Sequence, residues 1–280
     1  GSSPDMRTRR YLKSRLVPRD VEAIVDGLRL GHTGSTGSTG YDPWGLNPDT
    51  TKMTFTVVRW LYERYFRVVA HGLDNVPASG RVLLVGNHGG QLPLDGVLVS
   101  YAVASRGAGA RLPRSMIERW FPSVPFLGNW MSSVGGVIGD PKNCAKMLER
   151  EEALVVFPEG IRGSGKPYRL RYQLQRFGHG FMHLAMEHDT LIVPVGIVGC
   201  EETMPSLGNM RPVARLLGLP YLPLALPAVL PARVVLNFGA PLYFGGEPGS
   251  EAEVALRVET VKDAIRDLID QGIAQRRDLI

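Results

Sequence analysis

The stretch Val82-Leu83-Leu84-Val85-Gly86-Asn87-His88-Gly89-Gly90-Gln91-Leu92-Pro93-Leu94-Asp95-Gly96 decides how the rest of the chain is read. Five apolar or small residues bounded by polar and glycine positions predict a short buried strand over 82–86. The strand runs directly into Asn87-His88, two glycines release the backbone, and Pro93 stands where a helix can begin. Parallel α/β sheets bind ligands at the carboxyl ends of their strands, so His88 is presented at the expected edge. Asp95 follows seven positions later, about 10 Å along a continuous helix, beyond hydrogen-bond reach. A His88–Asp95 pair therefore requires the intervening residues to loop back. Such a pair fixes the imidazole tautomer and stabilises the imidazolium, which suits His88 to act as a general base near neutral pH.

Outward from this stretch, brief apolar runs at Val134 to Ile138, Leu154 to Phe157, Leu191 to Val198 and Val234 to Phe238 also predict buried strands. Leu94 to Ala104, Asn143 to Arg150 and Gln173 to His188 read as helices between them. A last helix from about Glu251 carries Val254, Val258, Val261, Ile265 and Leu268 at alternating spacings of four and three. The alternation predicts one α/β domain over 72–280, with a largely parallel central sheet flanked by helices on both faces.

Two segments precede that domain. Residues 1–50 read as a basic N-terminal helix, about Pro18 to Leu30, followed by a Gly/Ser/Thr-rich linker or exposed loop over 31–47. Residues 51–71 hold an amphipathic helical pattern, Lys52 to Val69. Lys52, Arg59, Glu63 and Arg67 line a narrow stripe there, and apolar and aromatic residues fill the remainder. This pattern suits a membrane-interfacial helix, and equally a helix packed on the core.

The net charge of +5 is concentrated near the start, where six basic residues face only Asp5 and Asp20 within the first twenty positions. Such an arm suits anionic lipid headgroups, at about 1 kcal/mol per charge near the surface; nucleic acid rests on this arm alone and is not expected as a partner. With two isolated cysteines, Cys144 and Cys200, the chain suggests neither a disulfide framework nor a zinc ribbon. No secretory signal is visible, and the uncharged stretch Leu216 to Ala232 is interrupted by four prolines. The expectation is peripheral or monotopic attachment on the cytoplasmic side of a membrane.

A second strand-to-loop junction reads Leu154-Val155-Val156-Phe157-Pro158-Glu159-Gly160-Ile161-Arg162-Gly163-Ser164-Gly165-Lys166. Arg162 and Lys166 suit phosphate or headgroup oxygens, and Glu159 suits acceptor hydroxyls. The bland alternative is an Arg–Glu pair bracing the loop.

Taken in order, Asn87-His88 with a following Asp, Phe157-Pro158-Glu159-Gly160-Ile161-Arg162, and Ile192-Val193-Pro194-Val195-Gly196 resemble the glycerolipid and lysophospholipid acyltransferase superfamily over roughly 72–245. The chain looks most like its monoacylglycerol and diacylglycerol acyltransferase-like branch. The resemblance implies an acyl-CoA-dependent O-acyltransferase of glycerolipid metabolism, with His88 and Asp95 catalytic and Asn87, Gly89, Gly90, Glu159, Gly160, Arg162 and Lys166 binding substrates. It implies no cofactor and no metal, with acyl-CoA or acyl carrier protein as co-substrate and no acyl-enzyme intermediate. Two departures stand out: six residues separate His88 from Asp95 where the family commonly has four, and the stretch Gly135 to Pro141 lacks the family's phosphate-gripping arginine and carries Asp140 instead. The latter favours mono- or diacylglycerol-like acceptors over lysophosphatidate.

Rival readings are a thioester hydrolase, a lipid-binding module without chemistry, and a metal site built on His179 and His183. No Gly-x-Ser-x-Gly elbow supports a serine hydrolase, and no Glu follows His179 in a zincin arrangement.

Overall fold

The strands assemble in the order β1-β9-β6-β2-β5-β3-β4, with β1 Val69–His71, β2 Val82–Gly86, β3 Arg114–Ile117, β4 Gly136–Ile138, β5 Ala153–Val156, β6 Leu191–Val198 and β9 Val235–Phe238. A computed structural model describes residues 16–28, 30, 40–89, 93–119, 127–216, 223–225, 228–246 and 249–277. All neighbouring strands of this sheet pair in parallel except β6 with β9, so β1 and β9 run against the other five. A separate pair, β7 Ser206–Asn209 and β8 Pro223–Ala225, is antiparallel.

Both faces of the sheet are covered, which is why β2, β6 and β9 read as unbroken apolar runs rather than alternating ones. The two-residue period of the strand divides the core. Leu83 and Val85 face a cluster with Met147, Leu148, Met182, Val258 and Ile265, whereas Val82 and Leu84 face one with Phe66, Leu98, Val99 and Val103.

The helices are α1 Arg19–Gly27, α2 Pro48–Trp60, α3 Leu94–Ser105, α4 Leu127–Ser133, α5 Pro141–Glu149, α6 Ile161–Ser164, α7 Gly180–Glu187, α8 Cys200–Thr203, α9 Arg211–Leu216 and α10 Glu251–Arg277. The α2 start follows from Asn47, whose side chain accepts the Thr50 N–H at 2.9 Å, with Pro48 in the first turn. Its last turn widens into a π-helical turn, Leu61–Tyr65, and Val69 already belongs to β1. A third apolar cluster joins Val21 and Val25 of α1 to Phe55 and Val58 of α2 and Tyr101 of α3. As expected, α10 lays one stripe on the sheet; it runs through Val254, Val258, Val261 and Ile265, continues at Ile269, and leaves Leu268 half-buried.

Two expectations are corrected, the exposed loop over 40–47 and the helix start at Gln173. Residues 40–47 are docked rather than an exposed linker: Asp42 is buried, accepts the N–H groups of Trp44 and Leu46 at 2.9 and 2.8 Å and pairs with the buried Arg114, while Leu46 is in the core. Residues 31–39 lie outside the described residues, as do 1–15. The basic stripe on α2 is largely occupied within the fold, because Lys52 pairs with Asp26 at 2.6 Å and Arg59 with Asp20 and Glu63. The helix predicted from Gln173 begins only at Gly180, since the preceding backbone is held in place by tertiary hydrogen bonds described below.

Candidate active site

The carboxyl ends of β2 and β5 are adjacent, so the Asn87-His88 and Phe157-Pro158-Glu159-Gly160 loops emerge side by side. The chain does loop back after His88: its Nδ1 lies 2.5 Å from Asp95 Oδ2, and the Gly89 N–H donates to the same oxygen at 3.1 Å. Asp95 is completely buried in the first turn of α3, and its other oxygen accepts the Gly96 N–H at 2.8 Å. The longer spacing thus leaves the His–Asp pair intact. Burial alone would lower the His88 pKa; the Asp95 charge and hydrogen bond, helped by Glu159 and Glu118, outweigh it and hold the imidazolium above its ordinary 6.5. The His88 side chain is 14% exposed, and its Nε2 has no hydrogen-bond partner among the described residues.

Several sequence-predicted binding residues turn out to build this geometry. Asn87 is buried and extends the β2–β6 ladder by side chain, donating to Ile197 O at 2.9 Å and accepting Ile197 N–H at 2.7 Å. Glu159 is buried, with Oε1 accepting the His88 N–H at 2.9 Å and Oε2 the Gln175 N–H at 2.7 Å. These contacts leave it no role as an exposed receptor for acceptor hydroxyls. Lys166 is likewise withdrawn from solvent, bonding Glu201 Oε1 at 2.9 Å and Gln173 O at 3.2 Å. Gly160 lies beside Glu118. Gly90 lies outside the described residues. Arg162 is exposed; its backbone N–H donates to Glu159 O at 3.2 Å, but its guanidinium makes no hydrogen bond or ion pair among the described residues, so the Arg–Glu side-chain brace is not formed.

Two glycines permit the close approach of the loops. A Cβ on Gly163 would stand 2.8 Å from His88 Cβ and 2.9 Å from His88 O, and one on Gly89 would stand 2.3 Å from Glu201 Cγ. Gly163 of the second loop therefore admits the first loop, and Gly89 of the first admits the Glu201 side chain. Glu201 escaped the sequence reading, although its place directly after β6, the neighbour of β2, is the available signal. Burial raises its pKa against the opposing pull of Lys166 and the Tyr172 N–H.

The Phe157 ring stacks on the His88 imidazole, with centroids 4.7 Å apart and planes 16° from parallel. Phe157 also lines a cavity of about 660 Å³ whose walls include Met116, Val156, Ile161, Phe181 and Leu184, with Glu118 and Arg119 as its charged members. Asp140, the residue expected to repel an anion, caps α5 and pairs with Arg119 at 2.7 Å. His179 and His183 both face Glu251, at 3.7 and 3.6 Å.

Residues 67–198 match the Acyltransferase family. An uncharacterized protein of Mycobacterium leprae is 33% identical over 268 residues, covering 92% of this chain and 72% of the relative. The chain belongs to the Acyltransferase family. An uncharacterized Mycobacterium tuberculosis protein is 32% identical over 85% of this chain and 70% of its own length. A Bos taurus protein described as a DGAT1/2-independent enzyme synthesizing storage lipids is 23% identical, over 72% of this chain and 58% of its own. The crystal structure of the lysophosphatidate acyltransferase PlsC from Thermotoga maritima superposes with a TM-score of 0.49 at 18% identity, covering 89% of this chain and 97% of that one.

Proposed function

We propose that this acyltransferase moves a fatty acyl group from an acyl thioester, acyl-CoA or acyl carrier protein, to a hydroxyl of a glycerolipid acceptor, with His88 as general base. The observation that carries this reading is Phe157, which stacks on His88 and lines the apolar cavity, so that a proton acceptor and a space fit for an acyl chain share one wall. His88 Nε2 takes the acceptor hydroxyl proton as the oxygen attacks the thioester carbonyl. Collapse of the tetrahedral intermediate breaks the carbon–sulfur bond, and the imidazolium returns the proton to the departing thiolate. Asp95 orients the ring and stabilises its charged form. Arg162, exposed and unpaired among the described residues, is suited to grip an acceptor or donor phosphate.

The acceptor is proposed to be mono- or diacylglycerol-like, in keeping with the stretch Gly135 to Pro141 and with the bovine relative's description. Membrane contact is proposed through α2, whose Met53, Val57 and Trp60 form an exposed apolar stripe. Trp60 stacks on Tyr65, whose hydroxyl donates to Val229 O at 2.6 Å, joining this helix to the proline-rich stretch. No described helix is long and apolar enough to cross a membrane.

Incubation of the purified protein with labelled acyl-CoA and monoacylglycerol, diacylglycerol, lysophosphatidate or no acceptor tests the reading. A labelled neutral lipid is expected. Labelled phosphatidate would reassign the acceptor, and free fatty acid alone in every mixture would overturn transfer.

A further inference from the structure

Beyond the catalytic loops the chain gathers arginines from four separate segments, Arg233 at the second concavity among them. Arg169, Arg171, Arg276 and Arg277 surround a concavity of about 520 Å³, and Arg67 and Arg276 line a second of about 570 Å³ that shares Glu202 and Arg276 with the first. Glu202 is the single carboxylate among the described residues lining either concavity, and it is already engaged. Its two oxygens accept from Arg276 at 2.7 Å each, and Oε1 also accepts from the Tyr172 hydroxyl. This Arg276–Glu202–Tyr172 base is fixed further by the Gly199 N–H donating to the Tyr172 oxygen at 3.2 Å. The Nε of Arg276 is buried with no partner among the described residues.

Around that base the positive charge is uncompensated. The guanidinium groups of Arg67, Arg169 and Arg277, on exposed residues, make no hydrogen bond or ion pair among the described residues; Arg171 stacks on Tyr168 at 4.6 Å. The carboxyl-terminal end of α10 favours cations and accounts for Arg276 and Arg277. It does not account for Arg67, Arg169 and Arg171, which come from elsewhere. Two residues of the same region, Arg67 and Tyr172, hold left-handed backbone angles of φ 44 and φ 63, a conformation unfavourable to side-chain-bearing residues. Like charges converging on a concave surface repel one another and focus the field on whatever anion enters, and guanidinium forks match phosphate oxygens.

The arginines are also tied to the catalytic loop. The Tyr172 N–H donates to Glu201 Oε2 at 2.9 Å, and Glu201 packs directly against Gly89. We propose that Arg67, Arg169, Arg171 and Arg277, set around the Arg276–Glu202–Tyr172 base, bind the phosphate groups of a ligand whose reactive end reaches His88. Coenzyme A, with its phosphates at the far end of a flexible arm from the thiol, is one source of that chemistry, and a phosphorylated lipid headgroup is the other. The choice of coenzyme A as probe rests on the proposed acyl transfer; phosphate binding itself does not.

The test is equilibrium binding, without turnover, of free coenzyme A and of phosphatidylglycerol–phosphatidylcholine vesicles to the full chain and to an Arg169→Gln/Arg277→Gln variant. Both side chains are exposed, so the melting temperature should hold; if the double variant fails to fold, Arg169→Gln alone carries the measurement. Coenzyme A is expected to bind on the order of tenfold more weakly to the variant, and wild-type binding should weaken with salt. Loss of vesicle binding with coenzyme A binding unchanged would support the pocket with the headgroup as its source. Equal binding of both probes to variant and wild type would overturn the proposal. Phosphate binding that persists in a protein with no transfer activity would instead count against the catalytic reading alone.

Discussion

The Glu159 carboxylate holds the backbone of His88: Oε1 accepts the His88 N–H at 2.9 Å while Oε2 accepts the Gln175 N–H at 2.7 Å. One buried side chain thus ties together the ends of two neighbouring strands and the segment that follows the second. Glu159→Gln keeps one acceptor oxygen and points an amide at the other N–H. Urea unfolding should show a loss of about 1–3 kcal/mol, and turnover in the folded fraction should fall because the imidazole loses its fixed position.

The raised His88 pKa gives a pH signature. The proposed general-base role needs neutral imidazole, so the acid limb of kcat/KM should lie above the ordinary 6.5. Asp95→Asn removes the strongest influence raising the pKa, and the limb should move down in pH while the maximal rate drops. For stability the sign is opposite to that of a paired carboxylate. The His88–Asp95 contribution is full below 6.5 and is lost as pH rises through the elevated folded value. Thermal melts of wild type and Asp95→Asn across this window should converge as pH rises.

Gly163→Ala places a methyl 2.8 Å from His88 Cβ. Overpacking here should cost about 1–3 kcal/mol, measured by denaturant unfolding, with activity reduced beyond what the unfolded fraction explains.

Much of this site is legible in the sequence because strand ends carry it: β2 and His88, and β5 with the Phe-Pro-Glu-Gly run, stand out as apolar runs meeting polar glycine-rich loops. The direction of the side chains is not legible. Asn87, Glu159 and Lys166 look like binding groups in sequence, yet each is consumed by a partner distant along the chain, Ile197, Gln175 and Glu201 respectively. The same cause hides β3, which opens on a charged residue, Arg114, buried against Asp42, and misplaces the start of α7, because Tyr172 and Gln175 give their N–H groups to Glu201 and Glu159 instead of to a helix.

Arg162 separates contact from support. It braces nothing among the described residues, so Arg162→Lys should leave stability within about 0.5 kcal/mol of wild type. If it grips a substrate phosphate, the Michaelis constant for that substrate alone should rise, read from initial rates at varied donor and acceptor concentrations.

The acyl-chain assignment of the cavity predicts that Leu184→Trp, which adds bulk to its wall, shifts preference toward shorter acyl donors. Competition between long- and short-chain acyl-CoA reads the ratio directly; an unchanged ratio would place the chain elsewhere.

The most direct test of the central claim is the rate of acyl transfer by His88→Ala in a protein shown by its melting curve to be folded. General-base catalysis predicts a fall of about 10²–10⁴-fold in turnover, whereas a folded variant within a few-fold of wild type would contradict the assignment of His88 as the base.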